Sequence, residues 1–482
     1  MLLFLAGIAV LIAGYFTYGR VVEKVLSPDD RETPAVKSPD GVDFVVLPHW
    51  KNMLIQLLNI AGIGPVIGVI LGIKFGSIVF IILPLGNLIA GATHDMIAGM
   101  MSLRKDGANL TTLVEDNLGK VYSRIFAWFM VGLLLLVVAV FVNIPANLIS
   151  GMIPGDWFWY AVVGITIYYV LAALFPVDKI IGAIYPFFGA LLILSSLAIF
   201  GMLLYNGFKN PALLQEGAEF KARMFSAEKH QPILPLLFVT IACGIISGFH
   251  ATQSPIVART MKTERQARST FYGMMVAEGV IGMIWAGAGM AIYNLFPQYM
   301  SIGATTVLSN ITNHFLGSVA GKVTVIGVVV LAITSGDTAL RSTRMALGEM
   351  LKIDQKPIFN RLSICFVLLI VVAALLWWSN QSAKTFNLLW NYFSWGNQIL
   401  AVTTLLAGSV YLAKKGLWRL IALVPGIFML FIVACYILWI SPAHGGPVGF
   451  GLELKTAYVL SAVIAAVVSV VIWIHGDKLA EK

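Results

Sequence analysis

The chain alternates between long apolar runs and short polar loops. Thirteen runs can be placed, near residues 2–20, 52–73, 76–101, 122–149, 157–176, 179–206, 232–257, 269–295, 318–340, 359–379, 385–412, 416–440 and 455–475. Runs of about 20 residues match helices that cross a bilayer, not the ~10-residue alternating strands of a membrane barrel. Lipid offers no hydrogen bonds, so spanning backbone must satisfy itself as helix. The expected fold is an all-α polytopic membrane protein with about 13 transmembrane helices. Two longer polar stretches, 21–51 (with Pro28, Pro34, Pro39 and Pro48) and 207–231, read as loops, and 299–317 predicts a short interfacial helix.

Two runs carry helix breakers at their centres. In the second run, Ala61-Gly62-Ile63-Gly64-Pro65-Val66-Ile67-Gly68 places two glycines and a proline within four residues. Pro65 lacks an N–H and clashes with the preceding turn, which frees carbonyls upstream. In the seventh run, Cys243 to Pro255 combines Gly244, Gly248 and Pro255 with Ser247, His250, Thr252, Gln253 and Ser254. So many polar side chains at membrane depth are costly unless they face a cavity. The two runs lie five helices apart and enter the membrane from opposite sides. Broken helices in corresponding positions of oppositely oriented halves are the pattern of an inverted-repeat transporter. The expected organisation is a first helix and loop at 1–51, repeats at 52–206 and 207–412, and a peripheral pair at 413–482.

Composition supports this reading. Hydrophobic residues make up 59% of the 482 and charged residues 11%, against roughly 25% charged in soluble domains. The net charge of +9 does not point to nucleic acid, because 24 of the 32 Lys and Arg fall on one side of the predicted topology and 8 on the other. The positive-inside rule then puts the N-terminus outside and the C-terminus in the cytoplasm. The first run has no basic leader and is expected to be retained as a helix. Cys243, Cys365 and Cys435 lie inside apolar runs and read as packing residues.

Further polar groups mark candidate chemistry. In the ninth run, Thr334, Ser335, Asp337 and Thr338 supply oxygens on adjacent turns, suited to Na⁺ or a proton, and Arg341 stands four residues on, where it can pair with Asp337. The bland alternative is a buried ion pair at a helix end with Arg344 snorkelling. His94-Asp95 in the third run needs a partner or a proton, with His94 itself or Arg104 available. Glu278, mid-way along the eighth run, is an isolated carboxylate suited to proton coupling. Asn391, Asn397 and Gln398 in the eleventh run can bridge helices.

Several of these segments together resemble the carbon starvation protein A (CstA) family of inner-membrane transporters. The likeness rests on Gly64-Pro65 with Gly68, on Gly91-Ala92-Thr93-His94-Asp95 followed by Arg104-Lys105-Asp106-Gly107, and on Ile241-Ala242-Cys243-Gly244 with Ser247-Gly248-Phe249-His250-Ala251. It continues through Asp337, Arg341-Ser342 and Arg344 to Gly396-Asn397-Gln398, covering roughly residues 48–410. The resemblance implies a LeuT-type fold of the amino acid–polyamine–organocation superfamily, uptake of peptides or pyruvate, and a cation site between the second and ninth runs. The chain reads as a short form of the family, and Thr252-Gln253-Ser254-Pro255 departs from its usual pattern.

The resulting expectation is a cation-coupled importer in the plasma membrane that uses H⁺ or Na⁺ and no other cofactor. Gly62, Gly64, Pro65, Ser247, Phe249, His250, Thr252 and Gln253 are the expected substrate residues. Thr334, Ser335, Asp337 and Thr338 are expected to couple the ion, and His94, Asp95, Glu278 and Arg341 to gate or relay. Alternatives from other classes are a membrane-embedded metal enzyme built on His94, Asp95, His250 and Glu278, a nutrient sensor that does not translocate, and a passive channel. The expected partners are a small-molecule substrate and lipid, without nucleic acid or a protein-bound metal.

Overall fold

The computed structural model describes residues 1–175, 181–217, 220, 232–444 and 446–481. The start of the expected sixth span and most of the polar stretch 207–231 lie outside them, including Lys179, Lys221, Arg223 and Lys229 of the charge count. Apart from a few single-turn helices, the described residues form sixteen helical elements: α1 (Leu2–Leu26), α2 (His49–Ile60), α3 (Gly64–Phe75), α4 (Val79–Leu103), α5 (Leu110–Leu118), α6 (Lys120–Met152), α7 (Phe158–Leu174), α8 (Ile181–Lys209), α9 (233–245, in short pieces), α10 (Gly248–Ala258), α11 (Glu264–Leu295), α12 (Ala304–Met350), α13 (Ile358–Ser379), α14 (Ala383–Lys414), α15 (Leu420–Trp439) and α16 (Leu454–Ala480).

Among the described residues, ten helices are long and apolar enough to cross a membrane, and the bent pair α2–α3 makes eleven. The remaining two expected spans take other forms. α7 is a shorter apolar helix of 17 residues, and the seventh span is the interrupted chain α9–α10. Gly317, at φ 78°, separates the short helix expected near 299–317 from the long run that follows.

Small residues set the centre of the fold. Gly64, Gly68 and Gly72 recur every four residues and form one face of α3. A Cβ on Gly64 would meet Cys243 Cβ at 2.1 Å, one on Gly68 the Thr240 carbonyl at 2.9 Å, and one on Gly72 Ile241 at 1.9 Å. This is small-residue packing between membrane helices, and it brings α3 against α9 at backbone contact. On the other side of the breaks, α2 packs on α10. The long helices α6 and α12 run beside each other, flanked by α7, and Gly336 lets the Tyr169 ring lie on α12. Lipid-facing side chains such as Phe187, Phe366, Val463 and Val467 are exposed and apolar, as a bilayer-solvated surface requires.

Candidate functional site

The first break is narrower than the breakers suggest. α2 ends at Ile60, Ala61 leaves helical geometry at φ −73° and ψ 59°, and the chain resumes a helical path at Gly64 after a bend of 55°. Pro65 therefore starts α3, where its missing N–H costs nothing. The freed carbonyls of α2 are met by α12. Thr334 Oγ1 donates to the Leu58 carbonyl at 3.1 Å, and Ser335 Oγ lies 3.3 Å from the same carbonyl and 3.1 Å from that of Asn59. A Cβ on Gly62 would sit 2.9 Å from Ser335 Oγ, so only glycine leaves that hydroxyl its place. The result is a set of neutral hard oxygens at the negative C-terminal end of a half-helix.

The second break comprises Ile246 and Ser247, both extended, at φ −161° and −130°. Here two asparagines satisfy the backbone. Asn397 Oδ1 accepts from the Phe249 N–H at 2.7 Å, and its Nδ2 donates to Ser247 Oγ at 2.9 Å. Asn87 Nδ2 donates to the Gly244 carbonyl at 3.2 Å and to that of Met275 at 3.0 Å. The start of α10 is packed so tightly that a Cβ on Gly248 would meet the Ala401 backbone nitrogen at 2.2 Å. Pro255 lies inside α10 and does not end it. Phe249 packs edge-to-face on Phe141 with ring centres 6.0 Å apart.

The expected ion-coupling residues divide. Thr334 and Ser335 reach the first break. Thr338 Oγ1 instead bonds the Thr334 and Ser335 carbonyls of its own helix. Asp337 does not pair with Arg341. It accepts from the Tyr168 hydroxyl at 2.7 Å, and the Tyr185 hydroxyl lies 3.0 Å from its other oxygen. The Tyr185 hydroxyl is also 3.0 Å from the Thr334 carbonyl and 3.2 Å from Asn59 Oδ1, which links Asp337 to the first break.

Arg341 turns the other way because a better acceptor set is available. It meets Asp43 at 2.6 Å, the Phe175 carbonyl at 2.6 Å and the Ala172 carbonyl. Arg344 is fully buried rather than snorkelling, 3.5 Å from the other Asp43 oxygen. Burial pushes the Asp43 carboxyl up, but the Arg341, Arg344 and Arg259 guanidiniums outweigh it and hold the group at about 2. The same segment clamps both broken helices at one end. Val45 and Leu47 N–H groups donate to the Arg259 and Thr260 carbonyls just past α10, and Thr260 Oγ1 donates to Asn52 of α2 at 2.7 Å.

His94, Asp95, His250 and Glu278 come together in one buried cluster. Asp95 takes His94 Nδ1 at 2.8 Å and His250 Nδ1 at 3.1 Å, and His250 Nε2 lies 3.9 Å from Glu278. Arg104, the other partner expected for Asp95, binds Glu264 at 3.1 Å instead. Glu278 is thus not isolated. Of the remaining expected substrate residues, Thr252 Oγ1 donates to the Phe249 carbonyl at 2.7 Å and Gln253 Nε2 to Thr252 Oγ1 at 2.9 Å. Gln253 Oε1 and both amide ends of Gln56 and Gln398 are buried without a protein partner. Asp43, Asn59, Asn87, Tyr168 and Tyr185 join the site unannounced. In sequence they are a loop aspartate, helix amides and tyrosines of apolar runs, so only Asn59 and Asn87, amides inside apolar runs, carried any signal.

A family model described as "Carbon starvation protein CstA" matches residues 1–175, 159–295 and 296–435. An uncharacterized membrane protein of Haemophilus influenzae is 39% identical over 343 residues, 61% of this chain and 91% of that protein. The "Peptide transporter CstA" of Bacillus subtilis is 27% identical, over 62% of this chain and 59% of its own length. The "Pyruvate/proton symporter BtsT" of Escherichia coli is 26% identical, over 58% and 47%. The match thus spans about half the length of these named transporters. Among solved structures, MhsT in complex with L-phenylalanine superimposes with a TM-score of 0.57 at 12% identity, over 89% of this chain and 99% of that one. The Eremococcus coleocola manganese transporter gives 0.53 at 13% identity, over 91% and 97%. These likenesses show the LeuT-type fold, and the family match, which runs through both helix breaks, shows that the chain belongs to the carbon starvation protein CstA family.

Proposed function

We propose that the chain is a cation-coupled secondary transporter that imports small organic nutrients, peptides or pyruvate-like carboxylates, across the plasma membrane. The observation that carries this reading is the pair of helix breaks, one ending in carbonyls held by two side-chain hydroxyls and the other opening a half-helix N-terminus. The carbonyls of Leu58 and Asn59 with Thr334 and Ser335 offer a cation the oxygens it needs at the negative end of α2. The positive start of α10, at Ser247 and Phe249, suits a substrate carboxylate. The buried amide ends on Gln56, Gln253 and Gln398 are hydrogen-bonding capacity that a polar substrate would use. Relatives named for peptide and for pyruvate/proton transport support the substrate class.

In this reading the clamp of Asp43 with Arg341 and Arg344 closes the cytoplasmic end, with the N-terminus outside and the C-terminus inside. Ion binding at the first break would straighten the relation of α2 to α12 and commit the closed state. A thermal-shift screen of the purified protein across di- and tripeptides, amino acids and short keto acids tests the assignment. One class should raise the melting temperature, and the shift should vanish in His250→Ala. Equal melting temperatures with every class would count against it.

A further inference from the structure

Two buried groups, His250 of α10 and Glu278 of α11, approach to 3.9 Å and have a proton balance fixed by geometry. Asp95 of α4 accepts from Nδ1 of both His94 and His250. A carboxylate oxygen accepts, so each ring holds its Nδ1 proton. His250 then turns Nε2 toward Glu278 Oε2 at 3.9 Å. Neither Glu278 oxygen has a hydrogen-bond partner in the protein, and all four side chains are at most 1% exposed. Cys243 of α9 is the other titratable group close enough to feel Glu278. α2, α12 and α14 also pack on α10, and Ser342 and Asn397, which bond to α10 and its cap, are uncharged. Among the described residues, no Lys or Arg forms an ion pair with the cluster.

The charges can be counted. With an ionised Asp95 and a single proton on the His250–Glu278 pair, the cluster carries −1. With a second proton, on both His250 Nε2 and Glu278, it carries zero. An uncompensated charge in a site closed to water is expensive, so closing the site favours the neutral form. His250 rides on α10, the half-helix that follows the second break, while Asp95 and Glu278 sit on the uninterrupted helices α4 and α11. Movement of α10 therefore makes or breaks the site.

We propose that the His250–Glu278 pair is the protein's proton-carrying site, taking up one proton when α10 closes against α4 and α11 and releasing it when α10 moves away. Asp95 and His94 are positioning residues that fix the His250 tautomer. In the uptake step a solvent proton forms an N–H bond at His250 Nε2 while Glu278 keeps its O–H, and release reverses this. The proposal rests on the transport reading above and names the proton carrier within it, distinct from the oxygens at the first break.

Infrared difference spectroscopy of the purified full chain, with and without Glu278→Gln, tests the proton directly. The wild type should show a carboxylic-acid carbonyl band that Glu278→Gln removes and that His250→Gln moves in frequency. Absence of such a band at every pH at which the protein stays folded would overturn the proposal. Proteoliposomes loaded by an inside-alkaline pH gradient, with radiolabelled pyruvate and an alanine dipeptide as probes, test the coupling. Glu278→Gln should lose gradient-driven accumulation out of proportion to exchange of internal for external probe. Accumulation equal to wild type would overturn the coupling role. A Glu278 band in a wild-type protein that neither exchanges nor accumulates either probe would instead overturn the transport reading and leave the buried proton standing.

Discussion

The two breaks solve the same problem with different chemistry. At each, a helix stops inside the membrane and leaves polar backbone groups that lipid cannot satisfy. The second break is closed by the amides of Asn397, engaged at both ends, and of Asn87, whose Nδ2 holds the Gly244 carbonyl while its Oδ1 is buried without a protein partner. The first is closed by the hydroxyls of Thr334 and Ser335. A hydroxyl that donates to a carbonyl can turn and present its lone pairs to a cation that the same carbonyl also binds, whereas the Asn397 amide, engaged at both ends, has no such second state. The hydroxyls at the first break can thus exchange partners, whereas the Asn397 contacts hold the second in one shape.

The sharpest way to break this comparison is to add one methyl group at each break. Gly248→Ala drives a Cβ to 2.2 Å from backbone at Ala401, where nothing can yield. It should cost about 4 kcal/mol, at the severe end for single substitutions. Gly62→Ala meets side-chain atoms that can shift, the Ser335 hydroxyl at 2.9 Å and the Phe141 ring at 3.2 Å, and should cost about 1 kcal/mol. Denaturant or thermal unfolding in nanodiscs orders the two, and equal losses would deny the distinction.

Next in size is Asp43→Ala, which asks whether the foot of α2 is held by charge rather than by the hydroxyls at its top. It leaves Arg341 and Arg344 buried without their anion and should cost about 3 kcal/mol. The sign of its pH dependence follows from a folded value of about 2 against an ordinary 3.8. The stability that this clamp contributes is complete above the ordinary carboxylate value and is lost as pH falls through about 2. Melting temperatures should therefore be flat near neutral pH and fall between about pH 4 and 2, and Asp43→Asn should lack that acid-dependent part of the fall.

Asn397→Leu orphans the Phe249 N–H and Ser247 and should cost about 2 kcal/mol. Ser335→Ala should cost as little as Gly62→Ala, about 1 kcal/mol, yet it should remove most of the stabilisation that added Na⁺ gives the wild type in a thermal-shift assay. A Na⁺ response that survives Ser335→Ala but fails in Asn397→Leu would reverse the roles assigned to the two breaks.

Much of this was legible in the sequence because breakers, polar clusters and charge asymmetry are local signals. Gly62 to Pro65 and Ser247 to Gly248 mark the breaks within a few residues, and Thr334-Ser335 announces its oxygens. What the sequence could not convey is direction. Asp337 and Arg341 share a helix face at the favourable spacing, but Tyr168 and Tyr185 reach the first and a loop residue, Asp43, reaches the second, from 152 or more residues away. The spacing rule fails there because a buried guanidinium takes the partner set that satisfies most of its donors. Glu278 looked isolated for the same reason, since His250 lies on another helix. The close approach of α9 has a local signal too, because Gly72 continues the four-residue spacing of Gly64 and Gly68.

The central claim is that the first break binds a cation whose gradient drives substrate across the membrane. Its most direct test is uptake of radiolabelled pyruvate and of an alanine dipeptide by proteoliposomes, with an inward Na⁺ gradient or an inside-alkaline pH gradient applied separately, for the wild type and for Thr334→Val with Ser335→Ala. Gradient-driven accumulation of one probe by the wild type, with the Na⁺-driven part lost in the double variant, is the predicted result. Accumulation that ignores both gradients, or a double variant that responds to Na⁺ as the wild type does, would contradict it.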